Sequence, residues 1–134
     1  MDRMIHEEIT ERVIASAFLV HQTLGYGFLE SVYKRALRLE LEQAGFPVTE
    51  ELPIDVLYKG ASVGKFYADL FVDGKVIVEL KSVERLVVQH EVQLVNYLKA
   101  TGIETGLLLN FGPTRVEIKR KFLNTIPANP DPSC

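Results

Sequence analysis

The chain has 134 residues, 47% of them hydrophobic and 25% charged, with a formal net charge of −3. That is the make-up of one ordinary globular domain, able to bury roughly two-thirds of the surface its unfolded chain would expose, and the acidic balance excludes a protein that coats nucleic acid by bulk electrostatics, though not one with local basic patches. The single cysteine, Cys134, is the last residue, which excludes an intrachain disulfide framework and a Cys-rich zinc site; no run reaches the ~18 apolar residues of a membrane helix, and the charged start "MDRMIHEEIT" lacks a secretory pattern, so a cytoplasmic protein with no membrane partner is expected.

Apolar residues at three- and four-residue steps from Ile5 to Leu24, among them Ile9, Val13, Ala17 and Phe18, predict an amphipathic helix that Gly25 and Gly27 end. A second helix is predicted from Leu29 to Ala44, with Val32, Ala36, Leu37, Leu39 and Leu41 as packing residues and Gly45 as its stop. Its Lys34, Arg35 and Arg38 form a basic patch that reads most simply as a solvated face balanced by Glu40 and Glu42. The period then changes, and Val48 to Tyr58, Val63 to Phe71 and Lys75 to Lys81 read as three strands joined by turns, with Pro53 marking a strand start, an edge or a bulge. The stretch "SVERLVVQHEVQLVNYLKATG" returns to helical spacing and predicts a helix over Val88 to Ala100, with Val88, Val92, Val95 and Leu98 apolar. "ETGLLLNFG" suits a strand covered on both faces, and "RVEIKRKF", with a second basic patch at Arg115, Lys119, Arg120 and Lys121, alternates as a further strand. The expected fold is α/β, a mixed β-sheet flanked by helices in one domain over residues 1–123, followed by a Pro-rich, frayed tail at 124–134.

The stretch "ADLFVDGKVIVELK" sets Asp69, Glu79 and Lys81 in strands that should be packing. Side chains alternate along a strand, so Glu79 and Lys81 share a face with Cα atoms ~6.6 Å apart. Whether Asp69 joins them depends on the turn. A two-residue Asp73-Gly74 turn puts it on the opposite face; a three-residue turn, Val72-Asp73-Gly74 with Gly74 left-handed, sets Phe71 against Lys75 and Asp69 against Ile77, and all three share a face. The apolar pattern favours the second, because it gathers Ala68, Leu70, Val72, Val76, Val78 and Leu80 on the other side. Two converging carboxylates repel and are costly to bury without a cation between them, and oxygen ligands favour Mg²⁺ or Mn²⁺. The carbonyl of Leu80 can add a third oxygen, and Lys81 can orient water or offset charge in phosphodiester hydrolysis. The competing account is a strand-edge ion pair of Asp69 or Glu79 with Lys75 or Lys81.

Gln93 and Tyr97 share a face of the following helix, with His90 one turn before Gln93. They can orient a substrate phosphate, or serve as ordinary capping and surface residues. Glu30, in "GFLESVY", by itself reads as an acid favoured at a helix start. Taken together, "GFLESVY", "ADLFVDGKVIVELKSV", "HEVQLVNYLKATG" and "GLLLNFG" resemble the GxxExxY proteins over about residues 5 to 123. That family is similar to compact members of the PD-(D/E)XK nuclease superfamily, with its restriction-endonuclease-like fold. The resemblance implies Asp69 and Glu79 as metal ligands, Lys81 as the catalytic lysine, and Glu30 as the acidic residue many such nucleases carry on an early helix. Gln93 and Tyr97 resemble the Gln-x-x-x-Tyr element of the RecB-like branch, and Ala68 stands where the superfamily has Pro. What is implied is a Mg²⁺-dependent nuclease or nuclease-like protein acting on DNA, the alternative being a non-cleaving nucleic-acid-binding or interaction module. A homodimer or a protein partner fits either reading.

Overall fold

The computed structural model describes residues 6–123; Ile5 and the Pro-rich tail at 124–134 lie outside the described residues. In chain order the elements are α1 (Glu7–Leu24), α2 (Glu30–Gln43), β1 (Val48–Tyr58), β2 (Ala61–Val72), β3 (Val76–Lys81), α3 (Val88–Thr101), β4 (Thr105–Phe111) and β5 (Val116–Phe122). One five-stranded sheet runs β1-β2-β3-β4-β5. Only β3 and β4 pair in parallel, with α3 as the crossover between them, and the other neighbours are antiparallel, as a parallel pair requires a long connection and a hairpin does not. The sheet is therefore mixed and flanked by helices, as expected, and Pro53 lies in β1 at the sheet edge, where a missing N–H costs least.

The helices α1 and α2 cover one face, where Val13, Ala17, Leu37 and Leu41 pack with Leu70, Val78, Leu80, Leu107 and Leu109. Helix α3 covers the other, with Leu94, Tyr97 and Leu98 against Ile54, Ile77 and Leu108. Strand β4, between them, is buried throughout, which accounts for its unbroken apolar run. Several expected packing residues are displaced from this core. Val88 and Val92 are 70% and 50% exposed, because the larger Leu94, Tyr97 and Leu98 take the sheet-facing stripe of α3, where they remove more apolar area from water. Phe18 on α1 and Val32 and Leu39 on α2 are exposed too, while Tyr33 joins Leu37 and Leu41 inside.

The β2–β3 turn corrects the expected register. Leu70 pairs with Val78, Phe71 with Ile77 and Val72 with Val76, so the connection is Asp73-Gly74-Lys75 rather than Val72-Asp73-Gly74. Asp73 and Gly74 both take positive φ, 56° and 65°, the conformation primed hairpin turns require, and the Lys75 N–H closes the turn on the Val72 carbonyl at 3.0 Å. The paired ladder ends at Leu70–Val78, and beyond it Asp69 meets Glu79, not Ile77, through side-chain hydrogen bonds. Ala68 is a second correction. It packs with Ile77 and Leu94 on the α3 side, not with Leu70 and Val72, because the β1–β2 ladder steps from Glu50–Leu70 to Leu52–Ala68 across Glu51, whose φ of 57° breaks the alternation of both strands.

Close approach of α3 to β4 depends on Gly106. A Cβ there would stand 2.8 Å from Leu94 Cδ1, with Leu94 Cγ and Cδ2 at 3.2 and 3.3 Å. Gly106→Ala is expected to destabilise the fold by about 1–3 kcal/mol, as overpacking of a filled core does, read as a lower urea midpoint at unchanged slope. An unshifted midpoint would mean that α3 adjusts without cost.

Candidate active site

The entry to α2 is shaped by a glycine-bearing turn. Gly27 has φ 114°, a conformation open to glycine and strained for other residues. Tyr33 then holds the turn from inside: its ring stacks on Phe111 with centroids 4.5 Å apart, its hydroxyl donates to the Gly25 carbonyl, and the Phe28 N–H donates to the same hydroxyl at 3.3 Å. Ser82, directly after β3, donates to the Phe28 carbonyl at 2.9 Å. These bonds tie the first turn of α2, and Glu30 with it, to the end of the strand that carries Glu79 and Lys81. The loop after Lys81 is fixed by buried Asn110, whose amide accepts from the Val83 N–H and donates to the Val83 carbonyl, both at 2.9 Å.

Where β2 parts from β3, two carboxylates replace the ladder. Glu79 Oε2 accepts the Asp69 N–H and Asp69 Oδ2 accepts the Leu80 N–H, each at 2.8 Å. Each acid therefore clasps the opposite strand. Glu79 is only 6% exposed. Burial, and after it the neighbouring Asp69 charge, pushes its carboxyl up to about 8, while Asp69 is also raised, chiefly by burial, against the opposing pull of the Leu80 N–H and Lys34. Glu30 sits close enough for its charge to raise both acids, and Lys81 close enough to lower Glu79. Both acids therefore hold a proton more tightly than ordinary carboxylates.

The donor set fits a hard divalent cation. One oxygen of each acid is spent on a backbone N–H, and the other, Asp69 Oδ1 and Glu79 Oε1, has no hydrogen bond from a described residue. The Leu80 N–H points at Asp69, and since the N–H and C=O of a strand residue face the same side, its carbonyl opens toward the same gap. Two carboxylates and a carbonyl are oxygen ligands of the kind Mg²⁺ and Mn²⁺ take. Among the described residues no group of three His, Cys, Asp or Glu side chains comes together in metal-holding geometry, so Glu30 acts on the pair through charge and does not complete a three-acid cluster.

Lys81 is partly exposed and makes no hydrogen bond or salt bridge with a described residue, leaving its ammonium available beside Glu79. Tyr97 is 7% exposed, and this burial, with the charges of Glu79 and Asp69 after it, raises its hydroxyl. Gln93 lies one turn earlier on α3, in the wall of a groove that Tyr97 also lines. His90 is engaged elsewhere: its Nδ1 accepts the Val87 N–H at 3.1 Å and its backbone N–H donates to the Val87 carbonyl at 3.0 Å, so its ring closes the start of α3 from the third helical position.

The sequence reading missed Lys34. Its side chain is 14% exposed, forms a salt bridge with Glu51 and acts on Asp69, whereas Arg38 of the same patch is held on the surface by Glu42 and Glu50 at 3.1 and 2.9 Å. The signal was present, since Lys34 lies four residues after Glu30 and so shares its helix face.

A family model described as the PD-(D/E)XK nuclease superfamily matches residues 7–121. Among solved structures, the chain is similar to the crystal structure of SSO0001, with 18% sequence identity and a TM-score of 0.53 over 92% of this chain, a likeness in fold. The chain spans 60% of the length of that protein. No curated protein matches the sequence.

Proposed function

The chain belongs to the PD-(D/E)XK nuclease superfamily, and from that premise we propose that it is a Mg²⁺- or Mn²⁺-dependent nuclease hydrolysing phosphodiester bonds in DNA. The observation that carries the reading is the clasped pair of Asp69 and Glu79 with the unengaged Lys81 on the same strand face. The cation would be held by Asp69, Glu79 and the Leu80 carbonyl; when bound it supplies Lewis acidity toward a phosphoryl oxygen and acidifies water. Lys81 then places positive charge where the phosphorane charge grows, and the Tyr97 hydroxyl, beside the two acids, orients a phosphate oxygen by hydrogen bonding. Glu30 and Lys34, one helical turn apart, adjust the charge over the pair. The GxxExxY signature has a physical meaning in this reading: its glycine turns the chain, its tyrosine pins the turn, and its glutamate is thereby held near the acids. Gln93 and Tyr97 take the place of the RecB-like element.

One observation favours the non-cleaving alternative, the absence of a three-acid cluster among the described residues. Incubation of labelled single- and double-stranded DNA and RNA with Mg²⁺, Mn²⁺ or a chelator separates the two. DNA cleavage that requires the divalent ion and vanishes in Asp69→Asn is expected. Binding of nucleic acid with no product in either metal would establish the alternative instead, and faster cutting of RNA would correct the substrate.

A further inference from the structure

A groove of about 670 Å³ runs between α3 and the β1–β2 hairpin. Its hairpin wall carries Phe66, 44% exposed, whose ring lies 5.9 Å from that of Tyr97. Its helix wall carries the amides Gln89, Gln93 and Asn96 together with Lys99. Tyr97 lines this groove and lies within electrostatic reach of Glu79 and Asp69, so the groove neighbours the acids. Resting on the nuclease reading, we propose that it binds an unpaired stretch of nucleic acid, with a base stacked on Phe66 and its edge met by the amide row.

Three properties select this occupant. The groove is far too small for a duplex, yet its volume lies in the range that accepts compact organic ligands, enough for a nucleotide. An aromatic face beside a strand path stacks any base, but only a base whose own face is not already covered by a neighbour in a duplex. Carboxamides at helical spacing offer donors and acceptors to base edges, beside apolar Val56, Leu57 and Val92 that suit the flat face of a base. Lys99 in the groove wall offers an ammonium for a phosphate.

The test uses the full chain with Ca²⁺ to cover the carboxylates and fluorescence anisotropy of a short labelled single strand and its blunt duplex. The single strand is expected to bind more tightly. Phe66→Ala is expected to weaken it about tenfold while leaving the duplex unchanged, and Phe66→Tyr to restore it; Phe18→Ala, an exposed aromatic on α1, serves as the control. Gln89→Ala and Asn96→Ala, at exposed helix positions, are expected to weaken single-strand binding severalfold, and they keep the test decisive if Phe66→Ala fails to fold. Unchanged single-strand binding in folded groove variants overturns the proposal. So does a groove variant that shifts the elution volume of the protein but not its affinity for the strand, which would make the groove an interface between copies. Groove-dependent strand binding without any cleavage would sink the nuclease reading alone, whereas metal-dependent cleavage indifferent to Phe66 would sink only the groove.

Discussion

Lys81→Ala is expected to lose at least about a hundredfold in cleavage rate while keeping the full metal-induced rise in melting temperature. In the proposed nuclease the rate loss follows from removing the charge that faces the reacting phosphate, a kind of deletion that costs about 10²–10³ in rate. The retained rise follows because an ammonium is no cation ligand. A ligand bound only by the folded state adds about 2.7 kcal/mol at a hundredfold excess over Kd, roughly 10 °C for a domain of this size. Asp69→Asn and Glu79→Gln should behave oppositely to Lys81→Ala, losing both the rise and the cleavage. Amides are the right probes, since Asn and Gln oxygens can still accept the Leu80 and Asp69 N–H groups, whereas alanine would leave those donors unmet and confuse metal binding with folding. Thermal melts of the four proteins with and without Mn²⁺, beside a cleavage assay, decide it. An equal small shift in all four would mean nonspecific ion binding, and the chemical basis of the nuclease reading would be gone.

The second large effect is one of pH on the metal-free protein. Glu79 has a folded-state carboxyl near 8 against an ordinary value of about 4.3. The folded state therefore holds a proton that the unfolded chain has released between these values. The stability this lends is fully present below pH ~4, and it is lost as pH rises toward 8, with a slope of up to about 1.4 kcal/mol per pH unit. Asp69, raised in the same direction, adds to the slope. Glu79→Gln carries no such charge and should flatten the decline, leaving the variant more stable than wild type by a few kcal/mol near pH 8. Urea denaturation of both proteins from pH 5 to 8.5 in chelator measures it. Parallel curves would show that Glu79 titrates as an ordinary carboxylate and that its burial is relieved in solution.

Element order and bounds were legible because each segment has a clear period, and β4 announced its position by having no polar face at all. The meeting of Asp69 and Glu79 was also legible, because the apolar side chains at 70, 72, 76, 78 and 80 fix the parity of the paired ladder whichever odd-length turn joins the strands. The turn itself was misplaced by one residue because two consecutive left-handed residues, Asp73 and Gly74, leave Lys75 as the extra position. Nothing local marks Glu51 as left-handed, so the switch of Ala68 to the α3 side could not be read. The Lys34–Glu51 pair spans 17 residues and arises only once α2 lies across β1. On α3 the error was one of rotation: a valine stripe and a Leu-Tyr-Leu stripe run side by side, and only packing against β4 decides which is inner.

The clasp between Asp69 and Glu79 makes both acids into rungs of the sheet as well as the metal ligands of the proposed nuclease, and the two duties would be selected separately. A descendant that ceased to cut would still need something to hold the Asp69 and Leu80 N–H groups at the mouth of the hairpin, so its acids would be retained or exchanged for their amides long after activity had gone. Lys81, whose side chain bonds to no described residue, is under no such structural demand and would drift first. Within a lineage built on this fold, the two acids would thus record ancestry, and the lysine would record whether the enzyme is still in use.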